Sequence, residues 1–105
     1  MTTFNERERA YESKFAHDLE MQFKAVARGN RLLGQWAAGL LGKSGEAADA
    51  YALSVVKSDF EEPGHEDVYR KLFGDLAHRV DEATIRKKMA ECLAEAKVQL
   101  MSERG

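Results

Sequence analysis

AAGLLGKSGE, residues 37–46, decides how the chain is read. Ala37 stands where a phosphate loop opens with glycine, and Gly42, Lys43 and Ser44 complete that loop's spacing. Read so, the chain would bind a nucleotide. A phosphate loop needs a strand ending in a glycine-rich turn whose backbone amides wrap the phosphates, with a helix behind it. Here the residues before Lys43 carry a helical pattern, because Leu33, Trp36, Ala37, Leu40 and Leu41 share one face at three-and-four spacing. No apolar strand ending in aspartate is available to hold magnesium. Gly42 reads as the left-handed residue that ends a helix, Lys43 as a cation suited to a helix C-terminus, and Ser44 as the N-cap of the next helix. The stretch is a turn between helices.

Working outward, the same periodicity extends back to Leu19 through Phe23 and Val26. Gly29, Gly34 and Gly39 interrupt it, each costing about 1 kcal/mol against alanine inside a helix. Either the helix breaks at Gly29-Asn30 or a neighbouring helix packs close against the glycines; one long helix is the favoured reading. After Ser44, Ala48, Tyr51, Ala52, Val55 and Val56 form a second stripe that Phe60 closes. A third follows Pro63-Gly64 with Val68, Tyr69, Leu72, Phe73, Leu76 and Val80. A fourth follows Asp81, its expected cap, with Ile85, Met89, Cys92, Leu93, Ala96 and Leu100. Nothing alternates as a strand would. Four amphipathic helices joined by short turns must bury their stripes against one another, so residues 19–105 are expected to form an all-α four-helix bundle.

Composition narrows the function. A chain of 105 residues holds one domain and leaves no room for a second, catalytic one. Its net charge of −2 supplies no footprint for nucleic acid. No apolar run approaches the roughly 20 residues that span a bilayer. The N-terminus MTTFNERERAYE is too charged for a secretory signal, so cytoplasmic residence is expected. Cys92, the single cysteine, excludes an internal disulfide and shares a face with Met89, Leu93 and Ala96, as a core residue would. His17, His65 and His78 lie on separate segments without the paired spacing of a zinc site. His65-Glu66-Asp67 reads as a polar helix start. Trp36, Tyr51, Tyr69 and Phe73 fall on apolar stripes and belong to the core. No constellation for nucleophilic or acid–base catalysis is present. The chain does not read as an enzyme.

Residues 1–18, MTTFNERERAYESKFAHD, have no place in the bundle. Thr3 and Glu6 make a capping box, and Glu6/Arg9 and Arg9/Glu12 are supporting pairs three residues apart. Phe4, Tyr11, Phe15 and Leu19 make a narrow apolar stripe that runs on into Phe23. A short helix of this kind is marginal alone in water. Two readings stand level: a mobile recognition arm that folds on binding, or a frayed extension whose aromatics cover the end of the bundle.

The stretches RERAYESKFAHDLEMQFKAVARGNRLLGQWAAGLLG and DAYALSVVKSDFEEPGHEDVYRKLFGDL resemble the zeta subunit of the alphaproteobacterial F-type ATP synthase, a family that also circulates as a domain of unknown function. KFAHD, NRLLG-x-WAA and KSDFEEPG carry the likeness in combination, over essentially the whole chain. The resemblance implies an inhibitor of ATP hydrolysis, peripheral to the inner membrane, whose N-terminal segment becomes a helix inserted at a catalytic interface of the ATPase head, against the rotor. It assigns Phe4, Tyr11 and Phe15 as buried anchors. Arg7, Arg9 and Lys14 would meet acidic or backbone partners, and Glu6, Glu8 and Glu12 basic ones; His17 borders the arm and is grouped with it, its role left open. Tyr11 stands where phenylalanine is expected, and Gly29 where a long polar residue is. The family implies no cofactor, although weak adenine-nucleotide binding by the bundle would be compatible with it. Two other classes compete: a small nucleotide-binding protein, resting on the loop lookalike, and a helical adaptor for another partner. A monomer is expected, since the stripes satisfy one another within one chain.

Overall fold

The computed structural model describes the backbone of residues 2–60, 64–77 and 79–104, and the side chains of 18–60, 64–77 and 79–103. Among these residues the elements are four α-helices: α1 (Thr2–Leu40), α2 (Gly45–Ser58), α3 (Glu66–Asp75) and α4 (Glu82–Arg104). The all-α bundle expected from periodicity is the fold observed. Pro63 and His78 lie outside the described residues.

The 37–46 stretch is the turn that its pattern demands. Gly42 takes φ +76°. The Lys43 amide donates to the Ala38 carbonyl at 2.9 Å and the Gly42 amide to the Gly39 carbonyl at 3.1 Å, the paired bonds of a Schellman ending. Arg79 adds a third cap, donating through Nη1 to the Leu40 carbonyl at 2.9 Å. Ser44 sits in extended backbone at the N-cap of α2, although its side chain makes no cap bond. Asp81 does cap α4, accepting from the Thr84 amide at 2.8 Å. α3 ends sooner than the run to Val80 suggests, because Ala77 adopts φ +50° and turns the chain.

α1 is continuous through Gly29-Asn30, and packing decides between a break and a close approach there. A Cβ at Gly29 would lie 3.1 Å from the Leu93 Cα on α4, and one at Gly34 would lie 2.6 Å from the Ala52 Cα on α2. These glycines let two helices approach α1 at backbone distance. Gly39 faces open space and admits no neighbour. The segment expected as a separate arm is helical in the same rod. Continuing an existing helix avoids the nucleation cost that makes an isolated short helix marginal. Thr3, expected as the cap, is already inside α1, and the side chains of its capping box lie outside the described residues.

The core is Leu33 and Ala37 of α1, Val55 of α2, Val68 and Leu72 of α3, Leu76 beyond it, and Ile85 and Cys92 of α4. Trp36, Tyr51, Tyr69, Phe73 and Met89 pack around it, half-buried, as expected. A polar clasp fixes α3 to α4 at the surface. Arg86 makes a two-pronged bond to Glu66 (3.0 and 3.1 Å), contacts Glu82, and lies 4.1 Å from the Tyr69 ring centroid.

Opposite signs are expected for two glycine-to-alanine changes. Gly34→Ala should destabilise by about 1–3 kcal/mol, because the α2 backbone must move. Gly39→Ala should stabilise by up to about 1 kcal/mol through helix propensity. Urea denaturation of both variants checks the pair. The carboxyls of Glu66 (bonded to Arg86), Asp81 (to Thr84) and Glu103 (to Arg28) are all held below their ordinary values. Lowered folded-state values stabilise above the unfolded pKa and lose that contribution as pH falls through the folded one. Tm should therefore be flat near neutrality and fall below the ordinary carboxylate range.

Candidate functional site

Gly29 lies against Leu93, while Asp18, Met21 and Ala25 lie beside Lys97, Leu100 and Met101, so α1 and α4 run antiparallel. The steps from Leu93 to Arg104 match those from Gly29 back to Asp18, so α4 ends level with Asp18. The groove of Asp18, Met21, Gln22, Ala25, Lys97, Leu100 and Met101 lies there. Glu103, in the last turn of α4, reaches back along α1 to Arg28, 2.6 Å away. α1 is about 58 Å long at 1.5 Å per residue, and α4 about 35 Å. Neither α4 nor the shorter α2 matches the full length of α1.

Exposed side chains near both ends of the first apolar stripe correct part of the sequence reading. Leu19 and Phe23 belong to the stripe expected to be buried, yet they are 51% and 59% exposed. Leu40, at the other end, is also exposed. Leu19 and Phe23 lie on the α2 side of α1 past the end of that helix at Ser58, while α4 packs near Met21 and Ala25. Phe60, expected to close α2, follows the helix end at Ser58 and is 64% exposed. Its ring meets that of Phe23, centroid to centroid at 5.8 Å.

The position of Phe60 is set by its neighbour. Asn30, buried on α1, donates through Nδ2 to Asp59 Oδ2 at 3.0 Å. The other carboxylate oxygen of Asp59 lies 2.9 Å from His65 Nδ1. One side chain thus ties the end of α2 to α1 and to the start of α3. Leu19, Gln22, Phe23, Val26, Asn30, Val56 and Phe60 line the groove that results, about 340 Å³ in volume. Sequence reasoning did not single out Asn30 or Asp59. The one signal for them was an amide interrupting an apolar stripe, which does not reveal its partner.

The side chains of Phe4, Glu6, Arg7, Glu8, Arg9, Tyr11, Glu12, Lys14, Phe15 and His17 lie outside the described residues; their backbone is the first part of α1. The other sequence candidates resolve simply. Lys43 and Ser44 are exposed beside a helix end, with a helix where a phosphate loop needs a strand. Cys92 is buried, and burial pushes its thiol pKa up, away from a reactive thiolate. His65 is exposed and joined to Asp59. Among the described residues no three His, Cys, Asp or Glu side chains converge on a metal position. No helix of the described residues is long and apolar enough to cross a membrane.

The fold is a small all-α bundle with a long first helix. Residues 1–99 match the family model for ATPase inhibitor subunit zeta, and the chain belongs to that family. The family's role is inhibitory and regulatory, which implies association with the ATP synthase. A solved structure described as a solution NMR structure of a protein is 59% identical, with a TM-score of 0.75. The match covers 79% of this chain and 98% of that one. A search of curated proteins gave no match.

Two substitutions separate the groove from the loop lookalike. Asn30→Ala removes a buried donor to a carboxylate and should cost about 1–3 kcal/mol in urea denaturation. Lys43→Ala, on the exposed turn, should stay within about 0.5 kcal/mol and leave inhibition unchanged. Loss of inhibition in Lys43→Ala would return attention to the turn.

Proposed function

We propose that the chain inhibits ATP hydrolysis by the F-type ATP synthase, with residues 1–18 as the inhibitory element and residues 19–105 as the body that carries it. Family membership supports the inhibitory role. The observation that carries the division of labour is the length of α1: the described partner helix α4 ends level with Asp18, while α1 begins at Thr2. The residues beyond that level are rich in charge and carry Phe4, Tyr11 and Phe15 at helical spacing. Such a segment suits insertion between two protein surfaces. Aromatic anchors contribute buried area at low entropic cost, and Arg7, Arg9 and Lys14 bring charge-assisted bonds to carboxylates or carbonyls.

Inhibition then requires no chemistry from the chain. A helix wedged between a catalytic interface and the rotor blocks the conformational cycle that hydrolysis needs. Rotation in the synthesis direction reopens the interface and ejects the wedge, so the block is selective for hydrolysis. A helix continuous with the bundle is suited to this work, since a stiff rod transmits the hold of the bundle to the wedge without a slack joint.

Deleting residues 1–18 should leave the α-helical melt of the bundle intact and abolish inhibition of an inhibitor-free ATPase head. Retained inhibition would move the active surface onto the bundle. Absence of inhibition by the intact, folded chain on an authentic head would leave a helical adaptor for another partner as the reading.

A further inference from the structure

A second groove meets Asn30 from its other side, between α1, α4 and the residue that precedes α3. Its volume is about 160 Å³. Val26, Met89 and Leu93 give it apolar walls, and Gly29 leaves one part of the α1 wall without a side chain. His65 and Ala90 stand exposed at its mouth. Asn30 is only 8% exposed, yet it lines the groove.

The Asp59 carboxylate orients both polar residues of this groove. A carboxylate accepts hydrogen bonds and cannot donate them. Asn30 therefore faces it with Nδ2, at 3.0 Å, and His65 with Nδ1–H, at 2.9 Å. Asp59 lines the neighbouring groove and not this one. With Nδ2 turned toward Asp59, Oδ1 is the amide atom of Asn30 left for this groove. No donor among the described residues reaches that oxygen. His65, with its proton held on Nδ1, presents Nε2 of the neutral ring as another acceptor.

The polarity of these atoms selects a ligand. Both polar side chains of the lining present acceptors, so the ligand must bring a donor. The lining holds no lysine or arginine, and the carboxylate next door repels anions, so a phosphate or carboxylate is disfavoured. The remaining walls are hydrocarbon and the Met89 thioether, which favours an aromatic ring. An apolar cavity of about 150 Å³ holds benzene, so the volume suits one small ring system.

We propose that this groove binds a small neutral aromatic molecule whose single N–H or O–H donates to Oδ1 of Asn30. The ring lies against Met89 and Leu93, and the donor supplies the bond that the buried amide oxygen lacks. Binding here is independent of the inhibitory role of residues 1–18.

The probe is indole, with benzofuran as an isostere that replaces the N–H by an ether oxygen. Each is titrated into the isotopically labelled full chain and followed through amide resonances. Indole should give saturable shifts at Gly29, Asn30, Met89 and Leu93, and benzofuran should bind about five- to tenfold more weakly. Ala90→Leu narrows the mouth from an exposed helix position and should weaken indole at least tenfold. Ala83→Leu, exposed on the same helix away from the groove, should change nothing. Thermal melts establish that both variants are folded. Absence of saturable shifts at the groove overturns the site. Equal affinity for benzofuran overturns the role of Asn30. Indole binding that folded Ala90→Leu leaves unchanged places the ligand elsewhere and overturns the proposal.

Discussion

The backbones of α2 and α4 come close enough to α1 to touch it at Gly34 and Gly29, and no side chain fits between them. That double approach sets the depth at which Leu33 and Ala37 meet Val55, Leu72 and Ile85, and so the dimensions of the core. It also sets where each partner helix ends along α1. With Gly29 opposite Leu93, α4 stops beside Asp18; with Gly34 opposite Ala52, the end of α2 and its turn arrive beside Phe23. Both boundaries of the candidate interface follow from these two contacts.

Helical periodicity made the architecture legible because each stripe had a partner in the same chain. The turn at residues 37–46 could be read against its phosphate-loop appearance for the same reason: the face formed by Leu33 and Ala37 had to be buried, and a strand could not bury it that way. Gly29 was ambiguous. In sequence a glycine that breaks a helix and one that admits a neighbouring backbone look alike, and only the position of Leu93 separates them. The exposure of Leu19, Phe23 and Leu40 was not legible either. A stripe records which residues are apolar but not which side of the helix each neighbour covers, nor that α2 stops at Ser58 before reaching Phe23. Nor could the Asn30–Asp59 bond be foreseen, since it joins residues far apart in sequence.

Stiffness matters to the site as much as surface does. On the proposed reading, a flexible tether would let an inserted segment leave while the body stayed bound, whereas one continuous helix would couple the two. The polar contacts are arranged in keeping with this. Arg28–Glu103 ties the last turn of α4 back to the middle of α1, and Asn30–Asp59 holds the end of α2 to the same stretch of α1. Each is a modest interaction alone, but together they tie the ends of α4 and α2 to the middle of α1. The surface clasp of Arg86, Glu66, Glu82 and Tyr69 lies elsewhere, fixing α3 to α4.

The central claim is that the first part of α1, rather than the bundle alone, occupies the catalytic interface of the ATPase head. The most direct measurement places a photoreactive phenylalanine analogue at position 15 or at position 53 of the full chain, irradiates each with a hydrolysing head, and maps the cross-linked peptides. The expected result is cross-links from position 15 to catalytic-interface residues and none there from position 53. Cross-links to that interface from position 53, with none from position 15, would contradict the claim.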